Sequence, residues 1–264
     1  MNKREIAMVV SNANKNVSVT DTIDAIRGAG FENVFIQWYN NRQWDITQEQ
    51  QLKYIHKKGL NVIFAHLGYQ NINDIWLDSA DGDILVKSYK RDIEICKENN
   101  IPMVVMHLTG KKEAPPFNET GLKRLQEIAD HAKTLNMKIA FENTRHKGYL
   151  EYAIENIKND NVGICFDSGH YHVHFDDELD FSKFKDRIFA IHLHDNDKSG
   201  DQHLIPFDGT INWNKIVTEL KNCNYSGPIT LELCYRNVYL KTSIDRFYEI
   251  GYHTAEKIKK MFEE

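Results

Sequence analysis

The sequence lacks the paired cysteines that build disulfide frameworks or thiolate zinc sites. Its four cysteines are scattered, and no C-x-x-C pair occurs among them. No segment approaches the roughly 20 consecutive apolar residues of a membrane span, and the apolar run in "MNKREIAMVVSN" is too short for a signal peptide. These absences predict a cytoplasmic protein that has free thiols and no membrane partner.

A strong excess of one charge is also absent. The formal net charge is -5 and the isoelectric point is near 6.2, and no dense stripe of lysine and arginine runs through the chain. Because contacts to phosphates dominate the affinity of proteins for nucleic acid, this composition does not favour a general attraction to DNA or RNA. A local basic face remains compatible with it.

No linker rich in proline, glycine or serine divides the chain, which predicts a single domain over residues 1–264. Short β-branched or apolar runs alternate with longer amphipathic segments. The strand candidates are "IAMVVS", "NVFIQWY", "NVIFAHL", "MVVMHL", "KIAFEN", "VGICFD", "IFAIHLH" and "ITLELC". Helical patterns lie between most of them, and the sixth helix is the weakest because "DFSKFKDR" allows only a couple of turns.

Eight strands that alternate with helices predict an α/β fold, a single (β/α)8 TIM barrel. The alternative is an open, doubly wound sheet. That fold would need a nucleotide-binding fingerprint after an early strand, and neither a G-x-G-x-x-G nor a Walker sequence is present.

The carboxyl ends of the predicted strands carry side chains that bind divalent metals. Active sites of TIM barrels lie at this end. The third to the eighth strand, with the loops that follow them, place there His66, His107, Glu142, Asp167, His170, His192, Asp201, His203 and Glu232. A lone histidine at a strand end is usually an ordinary polar residue, but converging carboxylates repel one another unless cations lie between them. The joint pattern therefore predicts a metal site.

For five further residues the sequence leaves open whether they bind a metal or only support the site and its loops. They are His172, His174, His194, Asp195 and Asp197.

The chain resembles the superfamily that joins endonuclease IV (AP endonuclease family 2) to xylose isomerase-like sugar isomerases and epimerases. "AHLGYQNIN", "HLTG", "AFENT", "VGICFDSGH", "IHLHDND", "DQH", "DGTINW" and "LEL" occur in the family's order over nearly the whole chain. The resemblance implies a TIM barrel that binds up to three zinc ions. It assigns one ion to His66, His107 and Glu142, a second to Glu142, Asp167, His192 and Glu232, and a third to His170, Asp201 and His203.

The sequence departs from the family's pattern at two motifs. The family's D-T-C-H reads Asp167-Ser168-Gly169-His170, and its G-E-G turn reads Phe207-Asp208-Gly209. The chain is also short for endonuclease IV, so we expect some DNA-contacting loops to be trimmed. Arg42 in "NNRQW" and Tyr69 are weak candidates for contacts to the substrate.

The net charge of the site, ligands and metal ions together, differs between the two reactions that the resemblance implies. One divalent ion among Glu142, Asp167, His192 and Glu232 leaves about -1, which suits an uncharged sugar and proton transfer by the two glutamates, with Mn²⁺ or Mg²⁺ as the ion. His170 would then bind the substrate. Three zinc ions and Asp201 bring the total to about +2, which attracts a phosphodiester.

The D-x-H pair, Asp201 and His203, has no evident purpose in the one-metal scheme. We therefore predict a multinuclear zinc hydrolase of abasic-site DNA or another phosphoester, with Glu142, Glu232 and His170 as its catalytic residues. The alternative is a single-metal isomerase or epimerase of a sugar or sugar phosphate. A metal-stabilised binding protein without turnover is the least favoured class, because open barrel mouths with several divalent ions usually retain a water. No obligate protein partner is evident.

Overall fold

The computed structural model describes residues 4–11, 14, 16–38, 45–110, 113–175 and 178–264. Arg42 and the whole "NNRQW" segment around it lie outside the described residues, so the predicted substrate contact of Arg42 stays a prediction. Among the described residues, no helix is both long and apolar enough to cross a membrane.

Eight parallel strands form the barrel, as predicted. Each lies within its predicted segment: β1 (Ile6–Val10), β2 (Asn33–Trp38), β3 (Asn61–Leu67), β4 (Met103–Met106), β5 (Lys138–Glu142), β6 (Val162–Asp167), β7 (Ile188–His192) and β8 (Ile229–Leu231). The strands pair in chain order from β1 to β7, and β8 pairs with β1. Most strand residues are buried on both faces, because the barrel interior covers one face and the helices cover the other.

The circle closes between β7 and β8. Leu193, just after β7, forms a parallel bridge with Leu231. The backbone N–H of Leu193 donates to the carbonyl of Thr230 at 2.9 Å, and that of Glu232 donates to the carbonyl of Leu193 at 3.1 Å. These bonds bring the end of β7 beside the end of β8, so that side chains from both strands reach one mouth.

The helices pack around the strands, and polar caps start several of them. They are α1 (Val19–Gly28), α2 (Gln48–Lys57), α3 (Ala80–Glu98), α4 (Glu119–Thr134), α5 (Tyr149–Asn156), α6 (Ser168–His174), α7 (Trp213–Asn222) and α8 (Ile244–Glu263). Ser18, Thr47, Asn118, Asn212 and Ser243 each accept a hydrogen bond from a backbone N–H of the first turn. The sequence patterns did not single out α5, which has only 8 residues.

The sixth helix differs from the prediction. "DFSKFKDR" forms only a 3-10 turn at Phe181–Phe184, and the α-helix of this unit, α6, begins directly after β6. Asp167 starts it, because its side chain accepts a hydrogen bond from the backbone N–H of His170 at 2.7 Å. This cap places His170 one helical turn above Asp167, at the mouth of the barrel.

Candidate metal centre

Glu142 lies at the centre of the predicted ligands. Its Oε1 is 3.4 Å from Nε2 of His107 and 3.0 Å from Nδ1 of His170. Its Oε2 is 3.1 Å from Nε2 of His66 and 3.3 Å from Nδ1 of His192. A single buried carboxylate therefore contacts imidazoles from β3, β7, α6 and the segment just after β4.

His192 joins Glu142 to two further carboxylates. Its Nδ1 is 3.6 Å from Oε2 of Glu232 and 3.9 Å from Oδ2 of Asp167. The same Oε2 of Glu232 lies 3.7 Å from Nδ1 of His203. The carboxylates from β5, β6 and the end of β8 therefore lie close together, with histidine side chains between them.

Asp201 and His203 lie on the outer side of this set. Oδ2 of Asp201 is 3.1 Å from Nε2 of His203 and 3.5 Å from Nε2 of His170. Because the other ring nitrogen of His170 contacts Glu142, this histidine connects the outer pair to the inner residues. The structure therefore brings all nine predicted ligands together.

Backbone carbonyls orient two of the imidazoles. Nδ1 of His66 donates to the carbonyl of Leu67 at 2.9 Å, and Nδ1 of His203 donates to the carbonyl of Glu232 at 2.8 Å. These bonds leave each Nε2 turned toward a carboxylate. Such carbonyl partners fix the tautomer and the ring orientation of metal-binding histidines.

His194 also belongs to the cluster, although the sequence left its role open. Its Nε2 lies 3.1 Å from Oδ2 of Asp167, and its ring stacks on that of His203 at 4.0 Å. The signal was its spacing from His192, because residues two apart at a strand end point to the same face. Cys165 precedes Asp167 by the same spacing, and Glu142, Cys165 and His192 form a buried triad of ligand-type residues.

Asp195 holds the loop that follows it. Its side chain accepts hydrogen bonds from the backbone N–H of Phe207 at 2.9 Å and of Ile211 at 3.1 Å, and from the indole N–H of Trp213 at 2.8 Å. A Cβ at Gly209 would overlap Oδ1 of Asp195. Gly209 is the last residue of the family's G-E-G turn, and a glycine is needed there because the turn packs closely against Asp195.

Of the remaining open residues, His172 and Asp197 have local hydrogen-bond partners. Nε2 of His172 is 2.8 Å from the hydroxyl of Thr210. Asp197 is exposed and accepts from the backbone N–H of Ser199 at 2.9 Å. Burial, with His170 nearby, lowers the pKa of His174 to about 4.

Tyr69, the other weak substrate candidate, lies beside the centre. Its ring stacks on the imidazole of His107 at 4.3 Å, with an angle of 9° between the planes. Its contact with a substrate stays a prediction.

The donor set fits divalent metal ions. Both ring nitrogens of His192 and the Oδ1 atom of Asp201 are buried and form no hydrogen bond with any described residue. Buried polar atoms that form no hydrogen bond are costly, and a metal would satisfy them. Ligand atoms within 4.8 Å of one another form the triads His66–His107–Glu142, Glu142–Asp167–His170 and His194–Asp201–His203, among others. Imidazole nitrogens and carboxylate oxygens are ligands that zinc uses in proteins.

In the metal-free protein the carboxylates raise the pKa of His170, His192 and His203, whereas burial lowers the pKa of His107. Burial alone would raise the pKa of Glu142, but His107 and His192 outweigh it and hold that pKa well below its ordinary value. Burial would lower the pKa of His192, but Glu232 and Glu142 raise it to about 9. Burial would also lower the pKa of His170, but Asp167 and Asp201 raise it well above its ordinary value. Metal ions must displace these protons.

This proton competition predicts how stability depends on pH. A histidine whose pKa rises on folding stabilises the folded state fully at pH values below its unfolded pKa of about 6.5. That contribution is lost as the pH rises through the pKa of the folded state, which is about 9 for His192. Between about pH 6.5 and 9.5 we expect the melting temperature of chelator-treated protein to fall by several degrees, and the stabilisation by added zinc to grow. Thermal melts with and without zinc at both pH values measure this. Equal stabilisation by zinc at both would contradict it.

The comparisons with known proteins agree with this geometry. The sequence profile of the family described as "Xylose isomerase-like TIM barrel" matches residues 23–257. An inosose isomerase of Halalkalibacterium halodurans is 26% identical over 205 residues, which cover 70% of this chain and 72% of the isomerase. A probable endonuclease 4 of Mycoplasma capricolum is 26% identical over 186 residues, which cover 62% of this chain and 63% of that protein.

An uncharacterised protein of Sinorhizobium fredii, y4fM, is 28% identical over 190 residues, 67% of this chain and 60% of that protein. The chain therefore spans less than two thirds of the length of some curated relatives that it matches.

Solved structures share the fold over nearly the whole chain. The IOLI protein with a bound zinc atom superimposes with a TM-score of 0.80 at 16% identity, covering 98% of this chain and 99% of that one. L-ribulose 3-epimerase gives a TM-score of 0.72 at 18% identity, covering 98% and 97%. At these identities the likeness is one of fold.

Proposed function

Because this chain belongs to the xylose isomerase-like TIM-barrel family, we propose that it is a hydrolase of phosphoesters that uses more than one divalent ion, with abasic-site DNA as its substrate. The observation that carries the proposal is the position of the Asp201–His203 pair. His170 contacts Asp201 through Nε2 at 3.5 Å and Glu142 through Nδ1 at 3.0 Å, so the outer pair continues the inner ligand set.

The charge of the cluster supports more than one ion. Four carboxylates converge, those of Glu142, Asp167, Asp201 and Glu232. With neutral histidines, a single divalent ion would leave about -2, and three would give about +2. Only the second total attracts a phosphodiester. Zinc is the ion that the donor set suits.

The resemblance divides the predicted ligands among three ions. His66, His107 and Glu142 would hold one ion, and Glu142 would be shared with a second, held also by Asp167, His192 and Glu232. The outer ion would lie between His170, Asp201 and His203. When bound, such ions polarise a phosphoryl oxygen and lower the pKa of water. The chain's own contribution is to hold the ligands in position and keep Glu142 ionised.

Arg236 is a further candidate for binding the anionic substrate. Its Nη2 donates to the backbone carbonyl of Asp201 at 3.3 Å, and its Nε is buried without a hydrogen-bond partner among the described residues. No motif in the sequence pointed to Arg236. Its position 4 residues after Glu232, in the segment that follows β8 at the barrel mouth, could have indicated it.

We expect Arg236→Gln to raise KM for a phosphodiester by about tenfold or more and to change kcat less. A hydrogen bond to a charged group contributes about 1.5–3 kcal/mol, and this one would be made to the bound substrate. Steady-state kinetics on phosphodiester substrates measure the effect. An unchanged KM would remove Arg236 from the binding site.

The direct test is incision of DNA. Zinc-loaded protein should cut a duplex that contains one abasic site and leave the undamaged duplex intact. A chelator should abolish cutting, and added zinc should restore it. Failure of the zinc-loaded protein to cut, beside turnover of a ketose, would refute the hydrolase.

The second candidate is an isomerase or epimerase of a sugar or sugar phosphate. Glu142 and Glu232 approach Nδ1 of His192 at 3.3 Å and 3.6 Å, so two carboxylates face one point in the barrel mouth. Such a pair can move a proton between neighbouring carbons. The relative named as an inosose isomerase supports this candidate. In this scheme one Mn²⁺ or Mg²⁺ suffices, and His170 binds the substrate.

A further inference from the structure

His194 is not among the ligands that the family resemblance assigns. We propose that it is an additional metal ligand, which completes the outer metal position with Asp201 and His203. The inference rests on the multinuclear centre of the proposed function, and it does not depend on which reaction that centre catalyses.

The geometry places the ring of His194 between two acidic groups. Its Nε2 is 3.1 Å from Oδ2 of Asp167 and 3.8 Å from Oδ1 of Asp201. The ligand atoms of His194, Asp201 and His203 all lie within 4.8 Å of one another. Nε2 therefore faces the same space as the two outer ligands that the resemblance does assign.

The main chain holds His194 firmly in this place. Its backbone N–H donates to the hydroxyl of Ser168 at 3.0 Å, and that hydroxyl donates to the carbonyl of His194 at 2.8 Å. The residue is fully buried, and its Nδ1 has no hydrogen-bond partner among the described residues. Its Nε2 has Oδ2 of Asp167 as its hydrogen-bond partner at 3.1 Å, so Nε2 is the ring nitrogen that faces the acidic groups of the site.

Gly169 makes the space for this ring. A Cβ at position 169 would overlap Cε1 of His194. The family's D-T-C-H motif has a cysteine here, where this chain has Asp167-Ser168-Gly169-His170. The missing side chain at position 169 on α6 therefore makes room for the imidazole of His194 after β7. The departure from the motif admits a ligand.

The first test counts zinc ions. Wild-type protein and His194→Asn are loaded with zinc, dialysed and measured by elemental analysis, and zinc affinity is measured by competition with a chelator. We expect the variant to lose one zinc per chain, or to bind its weakest zinc at least about 100-fold less tightly, because even residues that only support a ligand contribute about 10–100-fold. His131→Asn, on α4 away from the mouth, is the control. Unchanged content and affinity in His194→Asn would overturn the proposal.

The second test keeps His194 in place. Gly169→Ala should displace its ring and reproduce the zinc loss. In case either variant fails to fold, histidine NMR of the wild-type protein follows Nε2 of His194 during a zinc titration. That signal should shift with the outer zinc, and a signal that no zinc equivalent moves would refute ligation. A protein that binds zinc through His194 but cuts no phosphoester would refute only the hydrolase.

Discussion

Asp201→Ala should remove the outer metal ion and lower cleavage of abasic-site DNA by more than about 100-fold. Asp201 contacts both His203 and His170, so its loss takes away the carboxylate that the outer position shares. Residues that merely orient a ligand contribute about 10–100-fold to affinity or activity, and a ligand itself should exceed that range. Elemental analysis and incision assays on the same preparations measure the two effects.

Asp197→Ala is the matched control for this experiment. Asp197 lies in the same loop, but it is exposed and accepts a hydrogen bond from the backbone N–H of Ser199 within that loop. We expect it to keep the metal content and activity of the wild type. If Asp201→Ala also keeps its metal, and ketose turnover is unchanged, the single-metal isomerase becomes the better description.

Glu142→Gln should abolish turnover of either substrate class and destabilise the metal-free protein. The amide has nearly the shape of the carboxylate but no charge to balance four histidines. Breaking a buried ion pair by removing one partner costs about 3–5 kcal/mol. Since about 1 kcal/mol corresponds to about 2–4 °C in a domain of roughly 150–250 residues, the melting temperature should fall by several degrees or more.

Kinetic assays and thermal melts of chelator-treated protein check this prediction. Glu127→Gln is the control, because Glu127 is exposed on α4 and pairs with Lys90. A Glu142→Gln protein that retained both turnover and stability would remove Glu142 from the centre of the site. This variant does not separate the hydrolase from the isomerase, which is why Asp201→Ala is needed beside it.

The sequence by itself determined the barrel and the position of the predicted ligands along the chain. Alternating apolar runs and amphipathic segments are local patterns, and parallel strands all end on the same side. Glu142, Asp167 and His192 each end a strand, so knowledge of the strands alone was enough to bring them to one mouth. The same logic could not find α5 or α6, because each is short and its start depends on the residues at its cap rather than on a periodic pattern.

Only the tertiary structure decided which side chains face one another. Nε2 of His194, in the segment after β7, lies 3.8 Å from Oδ1 of Asp201. The ring of His194 fits there because Gly169, on α6, has no side chain. Arg236 reaches the mouth because the chain beyond β8 returns beside the loop that carries Asp201. Distances between side chains depend on barrel closure and on packing between elements distant in sequence, and neither is encoded in a local pattern.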